Sequence, residues 1–454
     1  MRSMSNAARS FRLVCPPSAT PLVEALLRAQ GYVFAPEPFS PFCRRLLAEP
    51  RPLGSSLAAF FGYIYIQDRS SMLPPLALNP APGAAVLDMC ASPGSKTGFL
   101  AQLTGPTGFV LGNEPTPARL GTLRANLHQM NLLHAATCAY SGDALPLRPQ
   151  SWRAILLDPP CSGWGTAAKH PQVLRLWRGD KIDNLTALQR RLLRQAARLL
   201  AQGGRLVYST CTTNTAENEA QVHFAEEELG LVRVPLPPFP GFVWEEQPGG
   251  EGTLRVDGER SGAQGFYVAL LEKPGTVTGP LRDVAAPDAA VASSGEFSAP
   301  PDAGPRGGRA PRRHGNRAAG QPLGQELPRT ALDGPAGTGA RLPPGAAVVF
   351  GDHVRFVPEQ APALLPPELV WQGGLLGRRQ GSGLDPAPRL RALLPERPEP
   401  RASLVLDTPE EVTALLSGQS RQTGLGGRWA ALWWRDLPLG LVALKQGRAV
   451  AGFR

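Results

Sequence analysis

The chain has 454 residues and a net charge of +10, with arginine far outnumbering lysine. It is long enough for two or more domains and favours a polyanionic partner, nucleic acid first. Six cysteines (Cys15, Cys43, Cys90, Cys138, Cys161, Cys211) include no CxxC pair, which argues against zinc and against a disulfide scaffold. No apolar h-region follows Arg2, Arg9 and Arg12, and no 18-residue apolar run occurs, so the expectation is a reduced, cytoplasmic protein without signal peptide or membrane span.

Residues 1–75 read as a small amino-terminal module, with a helical pattern at 22–29 and a loop-like segment at 36–40. Arg2, Arg9, Arg12, Arg28, Arg44, Arg45 and Arg51 face only Glu24, Glu37 and Glu49 there, a balance that suits either a phosphate backbone or a solvated surface. Residues 76–275 change character. Apolar strands are expected at 84–89, 108–111, 135–139, 153–157, 205–209 and 265–271, with helices at 117–129 and 185–200, the second ended by Gly203 and Gly204. Strands alternating with helices predict an α/β fold, a mostly parallel sheet covered on both faces. Residues 276–342 are rich in Gly, Pro and Arg and read as a linker, with Arg306, Arg309, Arg312, Arg313 and Arg317 clustered inside it. Residues 343–454 regain apolar content and read as a small α+β or barrel-like binding domain. Its strands are expected at 346–350, 354–357, 429–434 and 437–444, and a helix at 409–416 is capped by Thr408 and Glu411.

Ligands of open α/β sheets sit at the carboxyl ends of strands. The first strand of the middle segment ends at Asp88, and a Pro93–Gly94 turn then leads into a helix near Lys96. Glycine allows close backbone approach, and free N–H groups at a helix start receive a carboxylate. Glu114 follows the next strand, placed for ribose hydroxyls, and Asp143 follows the third. Neither GxGxxG nor GxxxxGKS is present, so dinucleotides and nucleoside triphosphates lose ground to another nucleoside-bearing molecule such as S-adenosylmethionine.

Asp158, Pro159, Pro160 and Cys161 end the fourth strand, and Cys211 follows the fifth, its expected neighbour. Both thiols and Asp158 are therefore expected in one pocket. A thiolate adding to carbon 6 of cytosine makes carbon 5 nucleophilic, and an acid at N3 offsets the charge that develops there, so a thiol and a carboxylate suit pyrimidine methylation. Cys90, inside the first turn, reads as a structural thiol, and Cys138 as a core residue.

These motifs resemble the Sun-type RNA cytosine-5 methyltransferases, most closely the bacterial branch acting on 16S ribosomal RNA. The resemblance is strong over residues 20–275 and weak over 343–454. It rests on Asp88-Met89-Cys90-Ala91-Ser92-Pro93-Gly94-Ser95-Lys96-Thr97, on Asp158-Pro159-Pro160-Cys161-Ser162-Gly163, on Tyr208-Ser209-Thr210-Cys211-Thr212, and upstream on Gln67-Asp68-Arg69-Ser70-Ser71-Met72. The resemblance implies a Rossmann-like S-adenosylmethionine-dependent sheet flanked by amino- and carboxyl-terminal RNA-binding modules. It implies Cys211 as the nucleophile, Cys161 as the cysteine that resolves the adduct, Asp158 at cytosine N3 and Lys96 in the pocket. The implied cofactor contacts are Cys90, Ala91, Ser92, Pro93, Gly94, Ser95 and Lys96 in the turn, with Glu114 at the ribose, Arg119 nearby, Asp143 on the adenine side, and Asp158. The implied partner is 16S ribosomal RNA or the small ribosomal subunit, with no membrane and a monomeric enzyme expected.

Ser92, Ser95, Trp164 and Ala168 depart from the family pattern, and Trp164 is placed either to stack on a base or to pack against the domain. The tail around Asp436, Leu437, Pro438, Leu439 and Gly440 is similar to the family's RNA-binding module, with Lys445 as a phosphate contact. Three alternatives stay open at this stage: a transfer RNA cytosine-5 methyltransferase, a ribosome-assembly protein that binds RNA without catalysis, and an amino-group methyltransferase that uses the Asp-Pro-Pro turn without a thiol.

Overall fold

The computed structural model describes residues 9–176, 179–275, 324–328, 332, 342–381 and 383–453. The apolar runs of the middle segment form the parallel centre of one sheet: β1 (Ala85–Asp88), β2 (Phe109–Asn113), β3 (Ala135–Cys138), β4 (Trp152–Leu157) and β5 (Leu200–Thr210). They lie in the order β3-β2-β1-β4-β5, and β6 (Val232–Val234), β7 (Leu254–Val256) and β8 (Phe266–Glu272) extend the sheet antiparallel beyond β5. This is the expected Rossmann-like α/β sheet.

Successive residues of a strand point to opposite faces. Leu87, Leu111, Ile155 and Leu157 therefore join one core, with Leu192 and Leu193 of α3 (Asp180–Leu199) and Val222 and Ala225 of α4 (Glu219–Leu229). Val86, Val110 and Leu156 join another, with Phe99 and Leu100 of α1 (Ser95–Thr104) and Leu123 of α2 (Pro117–Gln129). Strand order reverses between β1 and β4, which opens a crevice at their carboxyl ends.

Gly203 and Gly204 do not end the preceding helix. That helix stops at Leu199, where Leu200 turns extended (ψ 126°) to pair with Trp152, and both glycines lie inside β5. Gly203 has φ +66° and donates its N–H to Lys273 O at 2.8 Å, an irregularity in the strand that glycine accommodates.

The amino-terminal module is richer in strands than expected. Val33–Glu37, Ser40–Ala48, Ser10–Leu13 and Ile64–Ile66 form an antiparallel sheet beside the helix Thr20–Ala29; of the expected loop at 36–40 only Pro38 and Phe39 turn, while Pro36, Glu37 and Ser40 belong to strands. Its arginines are not a uniform phosphate-facing set. Arg12 is fully buried, with hydrogen bonds to Gln102 and to Ser95 O, and lies over Phe99 with its guanidinium carbon 4.8 Å from the ring centroid. Arg44 is held by Glu24 at 2.7 Å and by Pro41 O.

Two five-stranded sheets make up the carboxyl-terminal region. One contains Gln325–Leu327, Gly345–Phe350, His353–Pro358, Leu375–Gln380 and Gly383–Pro386. The other contains Ser403–Leu406, Trp429–Trp434, Leu437–Lys445, Arg448–Val450 and Arg421–Gln422. The expected helix is Pro409–Leu416, with the Thr408–Glu411 capping box formed. Gln325–Leu327 lies within the segment expected as linker, because it pairs with Gly345–Phe350 and buries Leu327. The arginine cluster at 306–317 lies outside the described residues.

The carboxyl-terminal region touches the rest of the protein at several places: Ala361, Leu364 and Leu369 join the core of the central sheet, and Gln360 donates to Gly83 O and Thr107 O. β9 (Trp371–Gln372) pairs antiparallel with β3 and extends the edge of the central sheet. The last sheet shares one core with the amino-terminal module, with Leu404, Leu432, Trp434 and Leu439 meeting Phe11, Leu27, Leu57 and Phe61. At that junction Tyr63 donates its hydroxyl to Pro438 O, and Arg391 donates to Phe61 O while lying 4.1 Å from the centroid of the Tyr63 ring. The segment Asp436 to Gly440, expected to serve RNA binding, thus buries Leu437 and Leu439 in a junction between two parts of the chain. Lys445 is exposed beyond it.

Candidate active site

Hydrogen bonds fix the turn after β1. Asp88 is 1 % exposed; its Oδ2 accepts from Thr97 Oγ1 at 2.7 Å and its Oδ1 from Cys90 N at 3.4 Å. Burial pushes the Asp88 carboxyl up to about 6, against those hydrogen bonds. A cis peptide joins Ser92 to Pro93, and Gly94 at the start of α1 has φ +105°, a left-handed conformation that side-chain-bearing residues rarely adopt. Pro93 O accepts from Asn126 on α2, and Ser92 exchanges contacts with Arg119 through both its hydroxyl and its carbonyl.

Glu114 follows β2 and is 2 % exposed. One oxygen accepts from Thr116 N at 2.8 Å and the other lies 3.4 Å from Arg119 Nε. Asp143 sits in the short turn Gly142–Ala144, where Ser141 Oγ at 2.5 Å and Arg191 Nε at 2.9 Å hold its carboxylate and lower its pKa. A residue absent from the sequence reading ties these strand ends together. Asn113 donates to Met89 O and Tyr140 O, and accepts from Tyr140 N at 3.0 Å. Nothing in its spacing marked it, because its partners lie about 24–27 residues away along the chain.

Across the crevice, Asp158 stands just after β4. Its Oδ2 accepts from Lys96 Nζ at 2.7 Å and its Oδ1 from buried Ser209 Oγ at 2.8 Å, so the carboxylate bridges α1 and β5. Burial alone would lower the Lys96 ammonium, but Asp158 outweighs it and the pKa is raised, keeping Lys96 charged. Its Nζ also lies 5.3 Å from the centroid of the Phe266 ring.

Cys161 Sγ and Cys211 Sγ are 3.3 Å apart. The hydrogen bond from Cys161 lowers the Cys211 thiol below its usual range, with burial and Asp158 opposing and the Lys96 ammonium assisting. The same contact, together with burial, pushes Cys161 well above that range. One sulfur is thus disposed to be a thiolate and the other to keep its proton. Cys90 is pushed well up by burial and by the Asp88, Asp158 and Glu114 carboxylates, and burial pushes Cys138, inside β3, up to about 12. Neither is poised as a nucleophile.

The two cysteine loops are joined by Glu217, which is fully buried. It accepts from Ser162 N at 2.9 Å, Ser162 Oγ at 2.5 Å, Asn214 Nδ2 at 3.1 Å and Gln189 Nε2 at 3.1 Å. Ser162 Oγ also contacts Thr212 Oγ1 at 2.7 Å, and Gly165 N donates to Cys211 O at 3.1 Å. The bridging by Glu217 leaves no local signal in the sequence, because Ser162 lies 55 residues away along the chain. Replacing Glu217→Ala strands several buried donors. The expected loss is about 3 kcal/mol in urea unfolding, with a slower reaction as the loops loosen; an unchanged unfolding midpoint contradicts the bridge.

Trp164 lies in the turn Trp164–Thr166, its Nε1 buried with no hydrogen-bond partner among the described residues. Ala168 is exposed, and Lys169 pairs with Asp68 at 2.7 Å, tying this loop to the upstream segment. Among the described residues no group of His, Cys, Asp or Glu side chains is arranged to hold a metal ion, and no helix is long and apolar enough to cross a membrane.

The family described as 16S rRNA methyltransferase RsmB/F matches residues 75–272. Ribosomal RNA small subunit methyltransferase F of Cronobacter sakazakii is 36% identical over 260 residues, 54% of this chain and 53% of that protein. The protein of the same description from Erwinia tasmaniensis is 39% identical over 236 residues, covering 51% and 49%. The chain thus spans about half the length of the curated relatives it matches. A crystal structure of a methyltransferase homolog from Pyrococcus horikoshii is similar with a TM-score of 0.52 at 32% identity, covering 59% of this chain and 86% of that one.

Proposed function

We propose, from the premise that the domain at residues 75–272 belongs to the RsmB/F family of 16S rRNA methyltransferases, that this protein methylates carbon 5 of a cytosine in 16S ribosomal RNA, using S-adenosylmethionine and a covalent Cys211 adduct. The observation that carries the reading is the Cys161–Cys211 contact at 3.3 Å beside the Lys96–Asp158 ion pair.

The donor set fits the cofactor. The amino end of α1 offers main-chain N–H groups to a carboxylate, and the buried Glu114 carboxylate after the adjacent strand suits a ribose diol. Residues 90–96 would line the methionine end, with Asp143 on the adenine side and Arg119 steadying Glu114. When bound, S-adenosylmethionine supplies an electrophilic methyl group.

The protein's own groups do the rest. The Cys211 thiolate adds to carbon 6, and Asp158, held by Lys96 and Ser209, meets N3, where proton sharing offsets the developing charge. Carbon 5, now enamine-like, would bond to the methyl carbon as the methyl–sulfonium bond breaks, its electron pair staying on the sulfur of the departing thioether. The carbon 5 proton then leaves to a base, the electron pair returns to the ring, and the Cys211–C6 bond breaks. Cys161 donates its hydrogen bond to the departing sulfur, the same contact that favours the thiolate at rest.

The rate should rise with pH as Cys211 ionises, with its acid limb below the usual thiol range. Lys96→Met removes a cation that lowers Cys211, so iodoacetamide alkylation of the Cys211 peptide should require higher pH; a limb that stays put contradicts the electrostatic role of Lys96. Bisulfite sequencing of total RNA from a strain lacking the gene should lose 5-methylcytosine signal in 16S ribosomal RNA. Loss confined to transfer RNA would overturn the substrate.

A further inference from the structure

The two sulfurs at the strand ends are close enough to bond to each other. Cys161 Sγ and Cys211 Sγ lie 3.3 Å apart. A disulfide holds its sulfurs at about 2.05 Å, so closure needs an approach of about 1.3 Å. The two cysteines sit just beyond neighbouring parallel strands, β4 and β5, whose last paired residues are Leu157 and Tyr208. Paired strands run about 4.8 Å apart, within the roughly 4.4–6.8 Å that a disulfide spans between Cα atoms. Cys161 and Cys211 are partly exposed, whereas Cys15, Cys43 and Cys138 are buried. Cys90, the other partly exposed cysteine, is kept as a thiol chiefly by desolvation and also by nearby carboxylates. The contact between the pair also divides their chemistry: Cys211 favours the thiolate, the form that peroxides attack, and Cys161 keeps its proton. A sulfenic acid stays reversible when a second thiol stands beside it. The catalytic geometry supplies that thiol.

We propose that the pair is a reversible redox switch: hydrogen peroxide converts Cys161 and Cys211 to a disulfide that stops methyl transfer, and a dithiol restores both thiols. The effect on methyl transfer rests on the function proposed above; the bond itself does not. In the first step the Cys211 thiolate attacks the peroxide. An S–O bond forms, the O–O bond breaks, and the released hydroxide takes a proton from solvent. In the second step the Cys161 sulfur attacks the Cys211 sulfenic acid. The S–S bond forms, the S–O bond breaks, and the departing oxygen takes the Cys161 proton and leaves as water. The two sulfurs together lose two electrons, and the peroxide gains them. The thiolate that held the Cys161 proton is gone after the first step, which frees Cys161 for the second. A dithiol reverses the bond by exchange and is itself oxidised to a disulfide. While the bond lasts, Cys211 has no thiolate to add at carbon 6. The bond also keeps Cys211 from sulfinic acid, which thiols do not reverse.

The test treats the full chain with hydrogen peroxide in the absence of RNA and methyl donor, alkylates it with N-ethylmaleimide under denaturing conditions, and digests it for mass spectrometry. One peptide pair joined through Cys161 and Cys211 is expected, with alkylation lost at those two and kept at Cys15, Cys43, Cys90 and Cys138. Methyl transfer should fall about ten-fold or more in step with the bond and return with dithiothreitol. In Cys161→Ala, Cys211 should go on to sulfinic acid, so that dithiothreitol no longer restores its alkylation. If that variant melts early by circular dichroism, the joined peptides of the unsubstituted protein decide the matter. Bond formation in a protein that never methylates RNA, even when reduced, upholds the thiol chemistry and contradicts the reaction assigned above. Sulfinic acid at Cys211 of the unsubstituted protein without joined peptides, both thiols still alkylated, a bond from Cys211 to Cys90, or methyl transfer undiminished once the bond has formed overturns the proposal.

Discussion

Cys211→Ala is expected to remove methyl transfer and to leave no protein–RNA adduct, a loss on the order of 10⁶-fold, the scale seen when a covalent catalyst loses its nucleophile. Without a sulfur at carbon 6, carbon 5 of cytosine has no route to nucleophilic character, whatever the quality of cofactor binding. The variant should stay folded, since Cys211 is only partly buried at the edge of its core and alanine keeps an apolar side chain there. Radiolabelled methyl incorporation into RNA checks the first loss and a denaturing gel the second. Incorporation at even about a hundredth of the wild-type rate, far above the residual activity set by that scale, would point to an amino-group methyltransferase that needs no thiol.

Cys161→Ala has the opposite signature. Addition at carbon 6 needs Cys211, Lys96 and Asp158, all of which remain, but the departing sulfur loses its hydrogen-bond donor. The expected result is a covalent protein–RNA complex that survives denaturation, with about one methyl transferred per enzyme and turnover lost. The same substitution should raise the Cys211 pKa, because the contact at 3.3 Å is the largest influence lowering it. Adduct formation should therefore slow at low pH and recover as pH rises. Free turnover in this variant would remove Cys161 from the release step.

The catalytic sheet was legible because its strands are buried on both faces and write themselves as unbroken apolar runs, from Val86 and Leu87 through Leu206 and Val207. The site was legible where chemistry coincides with a strand end, as at Asp88, Asp158, Cys161 and Cys211. Glu217 and Asn113 were not, because their roles are made by partners brought close only by the fold. Charge misled in the amino-terminal module. Arg12 reads as a surface cation, yet it lies buried against Phe99 with its pKa lowered to about 10, mainly by desolvation. The strands there carry Arg44, Arg45 and Pro36, which blur the alternation that marks a half-buried strand. β9 has two residues, too few for any period, and the core shared by the first and last parts of the chain leaves no local pattern at all.

That shared core changes how the flanking modules act. With Trp434, Leu439, Phe11 and Phe61 in one core, the amino-terminal module and the last sheet form one body beside the central sheet. Arg12 ties this body to α1 through Ser95 O and Gln102.

The most direct test of the covalent account uses RNA carrying 5-fluorocytidine at the target, where fluorine in place of the C5 proton stops elimination and holds the adduct. After nuclease and protease digestion, mass spectrometry should find the methylated fluorinated nucleotide on the peptide containing Cys211. Finding it on the Cys161 peptide, or on no cysteine while the same RNA is methylated, would contradict the account.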